Sequence, residues 1–528
     1  MSVKRRTSVT RDEEKTVAAQ SADAAAGPGA GATGTAEPDP RRWLVLVVIC
    51  LAQLMVVLDV TIMNLALPSA QEDLGFSLAN RQWIVTAYAL AFGSLLLFCG
   101  RLVLLFGLKR SFLVGLVGFA GSSAVGGAAT GFEMLVAARV GQGVFAALLA
   151  PATLTLLITT FADPREKGKA FGAYGAVAAS GAGLGLIIGG ALTSGLSWRW
   201  CMFVNLLFAG VALLGAGLPF GRDGAAAGPR TKLDIPGVVL VSGAMFCVVY
   251  GFSNAANEDW STPETWGFLV AGGALLLAFT VRQARAAHPL LPPRVVLHRN
   301  RGGAYLLMLF AGAGMFGFFL FLIYYMQTTL DYSALVSGVA LLPMVVLTAV
   351  AVNIGNIKIM PRYGPRPLVV TGLLLNAAGL AWLTTVDVDS RYVTTLLGPI
   401  LVMGFGMGLL FGAALQTGTT GVRPQDAGIA SASIQVGQQL GGSVGTALLN
   451  TLAASALTDY LAEHAQGQPT EELLRLAAVE SYVTVFWWCS GLFAVGAVVC
   501  GLLIRSGPLP PAPATGAKSA DPAGPAPA

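Results

Sequence analysis

Two ionisable residues lie deep inside apolar stretches of this sequence, and their types and depths suit the carriage of a proton through an apolar barrier. Asp59 sits in the run that starts at Trp43 and closes with Leu58-Asp59-Val60-Thr61-Ile62-Met63-Asn64-Leu65-Ala66-Leu67-Pro68. Such a run crosses a hydrocarbon core roughly 30 Å thick, for which a helix needs about 20 residues. A carboxylate at that depth is costly, so it is read as a proton or ligand site facing a cavity; the alternative is a carboxylate buried to pair with a cation and fix packing. Arg139 lies inside a second apolar run. Asp59 is 16 residues past Trp43, roughly 24 Å from one edge at about 1.5 Å per residue. Arg139 enters from the opposite edge, five residues past Met134, roughly 8 Å down. The two therefore reach nearly one level and can pair, with a helix-to-backbone clamp as the alternative for Arg139.

Other polar and soft residues recur at helical spacing. Met55 and Met63 stand four residues to either side of Asp59, on its face, where polarizable thioethers adapt to varied ligand shapes or simply fill core. Gln53 and Asn64 fall on a different stripe. Gly181, Gly185 and Gly189 form one flat face that lets a neighbouring helix approach closely. Together with Gly183 they resemble a nucleotide-binding Gly-x-Gly-x-Gly, but no strand precedes them and the segment is apolar helix. Gln435, Gln438, Gln439, Gly442 and Thr446 make a polar stripe on an apolar helix, suited to lining a cavity or bonding a partner helix. Tyr324, Tyr325 and Gln327 offer aromatic walls and one polar contact, or an interfacial aromatic belt.

These residues require a membrane to position them. The chain has 528 residues, 55% hydrophobic and only 11% charged, far below the roughly 25% charged fraction of soluble domains. It is expected to be an all-α polytopic membrane protein. Its +5 formal charge is scattered between apolar spans rather than gathered on one face, which argues against nucleic acid. The six cysteines lie in or beside apolar runs without Cys-x-x-Cys or zinc spacing, so neither disulfide nor metal is expected, and no cofactor. Residues 1–41 and 506–528 read as disordered tails, the latter rich in Pro and Ala, and the first apolar run is too long for a cleaved signal segment.

Fourteen spans fit between residues 43 and 504, which puts both termini on one side. With that side cytoplasmic, only Arg81, Arg199, Arg391 and Arg475 of the 32 Lys and Arg fall outside and Arg139 lies within a span. That is the bias of cytoplasmic loops toward positive charge. Most tryptophans fall near span ends, as interfacial belts require.

The motifs carry a family likeness. Leu58 to Pro68 resembles the first-helix motif Leu-Asp-x-Thr-Ile-x-Asn-x-Ala-Leu-Pro of the fourteen-helix drug:proton antiporters of the major facilitator superfamily. Leu135 with Arg139, Gln142 and Gly143 resembles their fourth-helix motif. Trp198-Arg199-Trp200 with Phe203 and Asn205 is similar to the signature after span five. His288, Tyr325 with Gln327, Gly338 with Pro343, and Gly428 to Ser431 extend the likeness across residues 43–504. The resemblance implies a major facilitator fold. Residues 42–220 would form one six-helix bundle, 221–285 an inserted helix pair, and 286–505 a second six-helix bundle, the bundles being repeats around a central site. It implies proton coupling at Asp59 and Arg139. A substrate cavity would be lined by Met55, Met63, Gln142, Tyr324, Tyr325, Gln327, Gln435, Gln438 and Gln439. Gating or helix packing would fall to Gly100, Arg101, Gly107, Gly181, Gly185, Gly189 and Gly190. Three departures bear on the gate and on the kink of span five. In the Gly100–Arg110 loop, Leu104 replaces an Asp and Leu105 and Leu108 replace basic residues. Leu186 and Leu207 each stand for a Pro.

The function expected is proton-coupled export of amphipathic small molecules such as drugs or antibiotics across the plasma membrane, by a monomer working through alternating access. A dedicated exporter of one metabolite and an uncoupled facilitator are the alternatives. A membrane-embedded enzyme is disfavoured: His288, His298 and His464 all lie in loops, and no nucleophile–base set or phosphate loop appears.

Overall fold

The computed structural model describes residues 41–161, 163–216, 234–257, 260–286, 289–423, 426–465 and 468–507. The tails expected at 1–41 and 506–528 lie almost wholly outside these, as does most of the segment joining the expected first bundle to the inserted pair. Among the described residues the chain is helical and contains no strand. This follows from lipid as solvent, where each backbone N–H and C=O must be satisfied within its own segment.

Helices stand at each of the fourteen expected spans: α1 (Arg42–Leu74), α2 (Leu78–Phe106), α3 (Leu108–Gly127), α4 (Phe132–Thr160), α5 (Pro164–Gly195), α6 (Arg199–Ala216), α7 (Ile235–Asn257), α8 (Pro263–Arg285) and α9 (Arg299–Tyr324). They continue with α10 (Leu342–Ile354), α11 (Pro365–Leu383), α12 (Leu397–Thr419), α13 (Ala427–His464) and α14 (Glu471–Leu503). Eleven are long and apolar enough to cross a bilayer unaided, α10 counting with its flanking turns as the run Leu335–Tyr363. α5 crosses as a pair of segments bent by 43°. The bend falls between Ala178 and Gly183, beside Gly181, and span five bends without the proline that Leu186 replaces.

Local signals repeat along the chain. Ser77 caps the start of α2 and Ser333 caps the helix that leads into α10, each through its side-chain oxygen. Gly107 (φ +89°) turns the chain from α2 into α3, and Gly364 (φ +78°) turns it into α11; both hold a left-handed conformation that favours glycine.

Glycine also sets the closest helix contacts. Gly181, Gly185 and Gly189 of α5 lie against Val57, Thr61 and Ile62 of α1. Gly100 of α2 meets α13 so closely that an added Cβ would come 2.7 Å from Ala432 Cβ and 2.8 Å from the Gly428 carbonyl. Beside this seam Thr155 and Ser431 hydroxyls lie 3.4 Å apart, joining α4 to α13, and Gly168 of α5 abuts Asn356. Helices α7 and α8 pack on each other and on the α2–α13 seam, with Leu97, Val241, Met245, Phe279 and Ala432 in one buried cluster.

Candidate functional site: a buried carboxylate cage

Asp59 and Arg139 meet. The Arg139 Nη1 donates to Asp59 Oδ2 at 2.5 Å, and each side chain is 1% exposed. Four helices besides α1 build the surroundings. From α4, Gln142 Nε2 donates to Asp59 Oδ1 at 2.6 Å, and its Oε1 accepts from Arg139 Nη1 at 2.7 Å. Arg139 and Gln142 are three residues apart, so one helix face presents both. From α6, Asn205 Nδ2 donates to the same Oδ1 at 2.7 Å. From α3, the Ser123 hydroxyl accepts from Gln142 Nε2 at 2.7 Å and from Asn205 Nδ2 at 3.2 Å. α2 completes the cage: Arg139 Nε donates to the Ile84 carbonyl at 3.2 Å, and the guanidinium lies 4.6 Å from the centre of the Tyr88 ring.

Three donors converge on a carboxylate that has no water-accessible face. Charge-assisted bonds of this kind are about twice as strong as neutral ones, and the pair is tolerable in a low dielectric only because its lone pairs and N–H groups are satisfied. This arrangement fits the ionised carboxylate. Oδ1 takes two donors and Oδ2 one, so a proton on Oδ1 would displace or turn one of its donors.

The cage lies at the boundary of two apolar clusters, one containing Met55, Tyr88 and Tyr174, the other Met63, Leu135, Trp198 and Met202. Met55 and Met63 are 0% and 2% exposed. They were expected to line a substrate cavity; in the structure they are packed core. The reason is rotational: the Asp59 face of α1 points into the helices α3, α4 and α6, and residues four away follow it. Gln142 likewise belongs to the cage rather than to a cavity wall. Gln53, on another stripe, accepts from Tyr174 of α5 at 2.7 Å.

The remaining expected residues are dispersed. Tyr325 is buried, and its hydroxyl donates to the Asp387 carbonyl at 2.6 Å, so it braces a loop instead of walling a cavity. Tyr324 is 46% exposed at the end of α9 with Phe321 edge-on to it, and Gln327 follows in a π-turn, half-buried. Gln435, Gln438 and Gln439 are half-buried on α13. The Gln439 stem is 3.3 Å from where a Gly93 Cβ would stand on α2. The Gly190 backbone lies beside Leu335.

At the Gly100 end, Asp426 at the start of α13 is buried and takes Arg294 through both guanidinium branches, at 3.1 to 3.3 Å. The buried Arg101 of α2 is attracted by that carboxylate and repelled by Arg294. Leu104, in the last turns of α2, packs against Gly428 of α13. At the other end, Asp73 accepts from Trp198 Nε1 at 3.0 Å and pairs with Arg199 at 2.8 Å, while Arg199 also donates to the Gly127 and Ala129 carbonyls. This is the physical work of the Trp-Arg-Trp stretch: it staples α1, α3 and α6. Sequence reading named Asn205 only as part of that stretch and passed over Ser123 and Tyr88, since their only signal is a polar residue on an apolar helix.

A bundle of apolar helices with a buried ion pair among its first six is the architecture of a multi-pass membrane protein. The sequence comparison agrees: the Major Facilitator Superfamily model matches residues 49–446, and the chain belongs to that superfamily. It is 46% identical over 471 residues to the puromycin resistance protein of Streptomyces alboniger, covering 89% of this chain and 92% of that one. It is 37% identical over 429 residues to a cephamycin export protein of Amycolatopsis lactamdurans, covering 79% and 86%. Over 424 residues it is 37% identical to a tetracenomycin C resistance and export protein of Streptomyces glaucescens, covering 79% and 77%. Its fold matches that of a human organic anion transporter with a TM-score of 0.61 at 16% identity, over 88% of this chain and 100% of the other.

Proposed function

We propose that this chain exports amphipathic antibiotics from the cytoplasm in exchange for protons, as a monomer in the plasma membrane with both termini cytoplasmic. Residues 42–220 and 286–505 act as two bundles that rock about a central cleft, with 221–285 inserted between them. The observation that carries this reading is the cage: a carboxylate 1% exposed whose Oδ1 takes two donors and can keep both only while that oxygen is unprotonated. Binding of a proton would break one of those bonds and favour the conformation in which the helices have moved, so occupancy and access are linked. The half-buried amides of Gln435, Gln438 and Gln439, which bond no other described side chain, supply the polar wall of the cleft. The Gly100–Gly428 seam is the cytoplasmic gate.

One antibiotic rather than many is the second reading, favoured by relatives whose names each carry a single compound. The test is a susceptibility panel, puromycin included, in a pump-deficient host, repeated with the proton gradient collapsed. Protection against several unrelated compounds that vanishes with the gradient supports the first reading, and protection against one supports the second. Protection that survives collapse of the gradient refutes proton exchange.

A further inference from the structure

Of the three donors that hold Asp59, two are committed at both ends. Arg139 has no acceptor atom to offer. Gln142 presents its nitrogen to Asp59 and Ser123 and its oxygen to Arg139; turning it round would set an NH2 against the guanidinium. Asn205 is different. Its Nδ2 is bonded to Asp59 and Ser123, but its Oδ1 is fully buried, the residue being 0% exposed, and has no hydrogen-bond partner among the described residues. A buried carbonyl left unbonded costs about 1–3 kcal/mol and calls for a reason. Ser123 adds a matching imbalance, since its oxygen accepts from both amides while its own O–H has no acceptor among the described residues.

We infer that Asn205 is the proton-sensing partner of Asp59, an amide that inverts when the carboxylate is protonated. It is a positioning residue for the exchange step, and the inference rests on Asp59 as the proton carrier. In the ionised state the Asn205 N–H groups face Asp59 Oδ1 and Ser123. When a proton from the aqueous side forms an O–H bond on Oδ1, that N–H donor is repelled, and the amide turns half a revolution about its terminal torsion. Its Oδ1 then accepts from the new Asp59 O–H and from the idle Ser123 O–H, so the proton gained is held by two polar groups instead of opposing two donors. No group other than the proton is added or lost. Arg139 loses the charge that balanced it at the same moment, and α6, which carries Asn205, is the element through which the change is felt.

The test is infrared difference spectroscopy on purified full-length protein in lipid, titrated with acid, for wild type, Asp59→Asn and Asn205→Leu. The expected result is a carboxylic-acid carbonyl band that is absent in Asp59→Asn and moves to higher wavenumber in Asn205→Leu, where the acid has lost its acceptor. Should Asn205→Leu fail to fold, wild type grown on carbon-13 asparagine answers the same question. A label-sensitive amide carbonyl band must shift to lower wavenumber with the same midpoint as the Asp59 band, because a free carbonyl becomes a bonded one. An Asp59 band at one position in wild type and Asn205→Leu, or no label-sensitive change, overturns the role of Asn205 alone. Absence of any Asp59 band in wild type overturns the assignment of Asp59 as carrier, and the inference with it.

Discussion

Asp59 and Arg139 should be strongly coupled in stability, because among the described residues each is the other's only salt-bridge partner, at 1% exposure. Take Asp59→Asn, Arg139→Met and the double variant. In Asp59→Asn one oxygen still faces Arg139, but the new NH2 meets the donors of Gln142 and Asn205, which now lie at 2.6 and 2.7 Å from an oxygen. Arg139 keeps the Ile84 carbonyl, Gln142 Oε1 and the Tyr88 ring, so its charge is hydrogen-bonded but unbalanced. Removing one member of such a pair costs about 3–5 kcal/mol. The double variant removes both charges and should cost about 3 kcal/mol less than the sum of the singles, about a hundredfold in the unfolding equilibrium. Unfolding of the purified protein in mixed micelles measures this. All three variants should insert, since a neutral amide is cheaper in hydrocarbon than a carboxylate, and all three should lose gradient-driven export. Costs that add within about 0.5 kcal/mol would refute the coupling, and export by Asp59→Asn would refute the role assigned to the carboxylate.

At the proposed gate, a Thr155→Cys/Ser431→Cys pair should cross-link readily, and adding Gly100→Val should slow cross-linking severalfold, because the new side chain has no room against Ala432 and Gly428; an unchanged rate would show that this seam does not set closure. Ala substitutions at Gln435, Gln438 and Gln439 should change which compounds are exported at constant protein abundance, whereas a fall in abundance would mean that the amides tie helices together. Single cysteines at Asp389 and Tyr363, both exposed, should label from outside and inside respectively; the reverse pattern would overturn the proposed orientation. Asp234, beside the start of α7, is opposed by its burial, yet the bonds from Arg282, the Gly237 N–H and Gln283 prevail and hold its carboxyl below the usual range. Because its folded value is the lower one, its contribution is present above the ordinary carboxylate range and lost as pH falls below about 4. Asp234→Asn should therefore destabilise the α7–α8 pair at neutral pH and flatten that acid limb, as proteolysis of the intervening loop across pH would report.

The helical membrane class, the positions of the spans and the meeting of Asp59 with Arg139 were legible in the sequence, because bilayer thickness and the rise of a helix convert residue number into depth. Depth alone does not give rotation. Which way α1 turns its Asp59 face is decided by where the glycine face of α5 lets it seat and by how α3, α4 and α6 close around it. That turn moved Met55, Met63 and Gln142 from an expected cavity into a packed cage. The kink of α5 survived the loss of its proline for a similar reason, since a glycine-rich stretch bends where its neighbours require it. Asn205 and Ser123 became partners of Asp59 only in three dimensions: they lie on α6 and α3, and a lone amide or hydroxyl in an apolar helix reads the same in sequence whether it bonds its own backbone or completes a charge network across four helices.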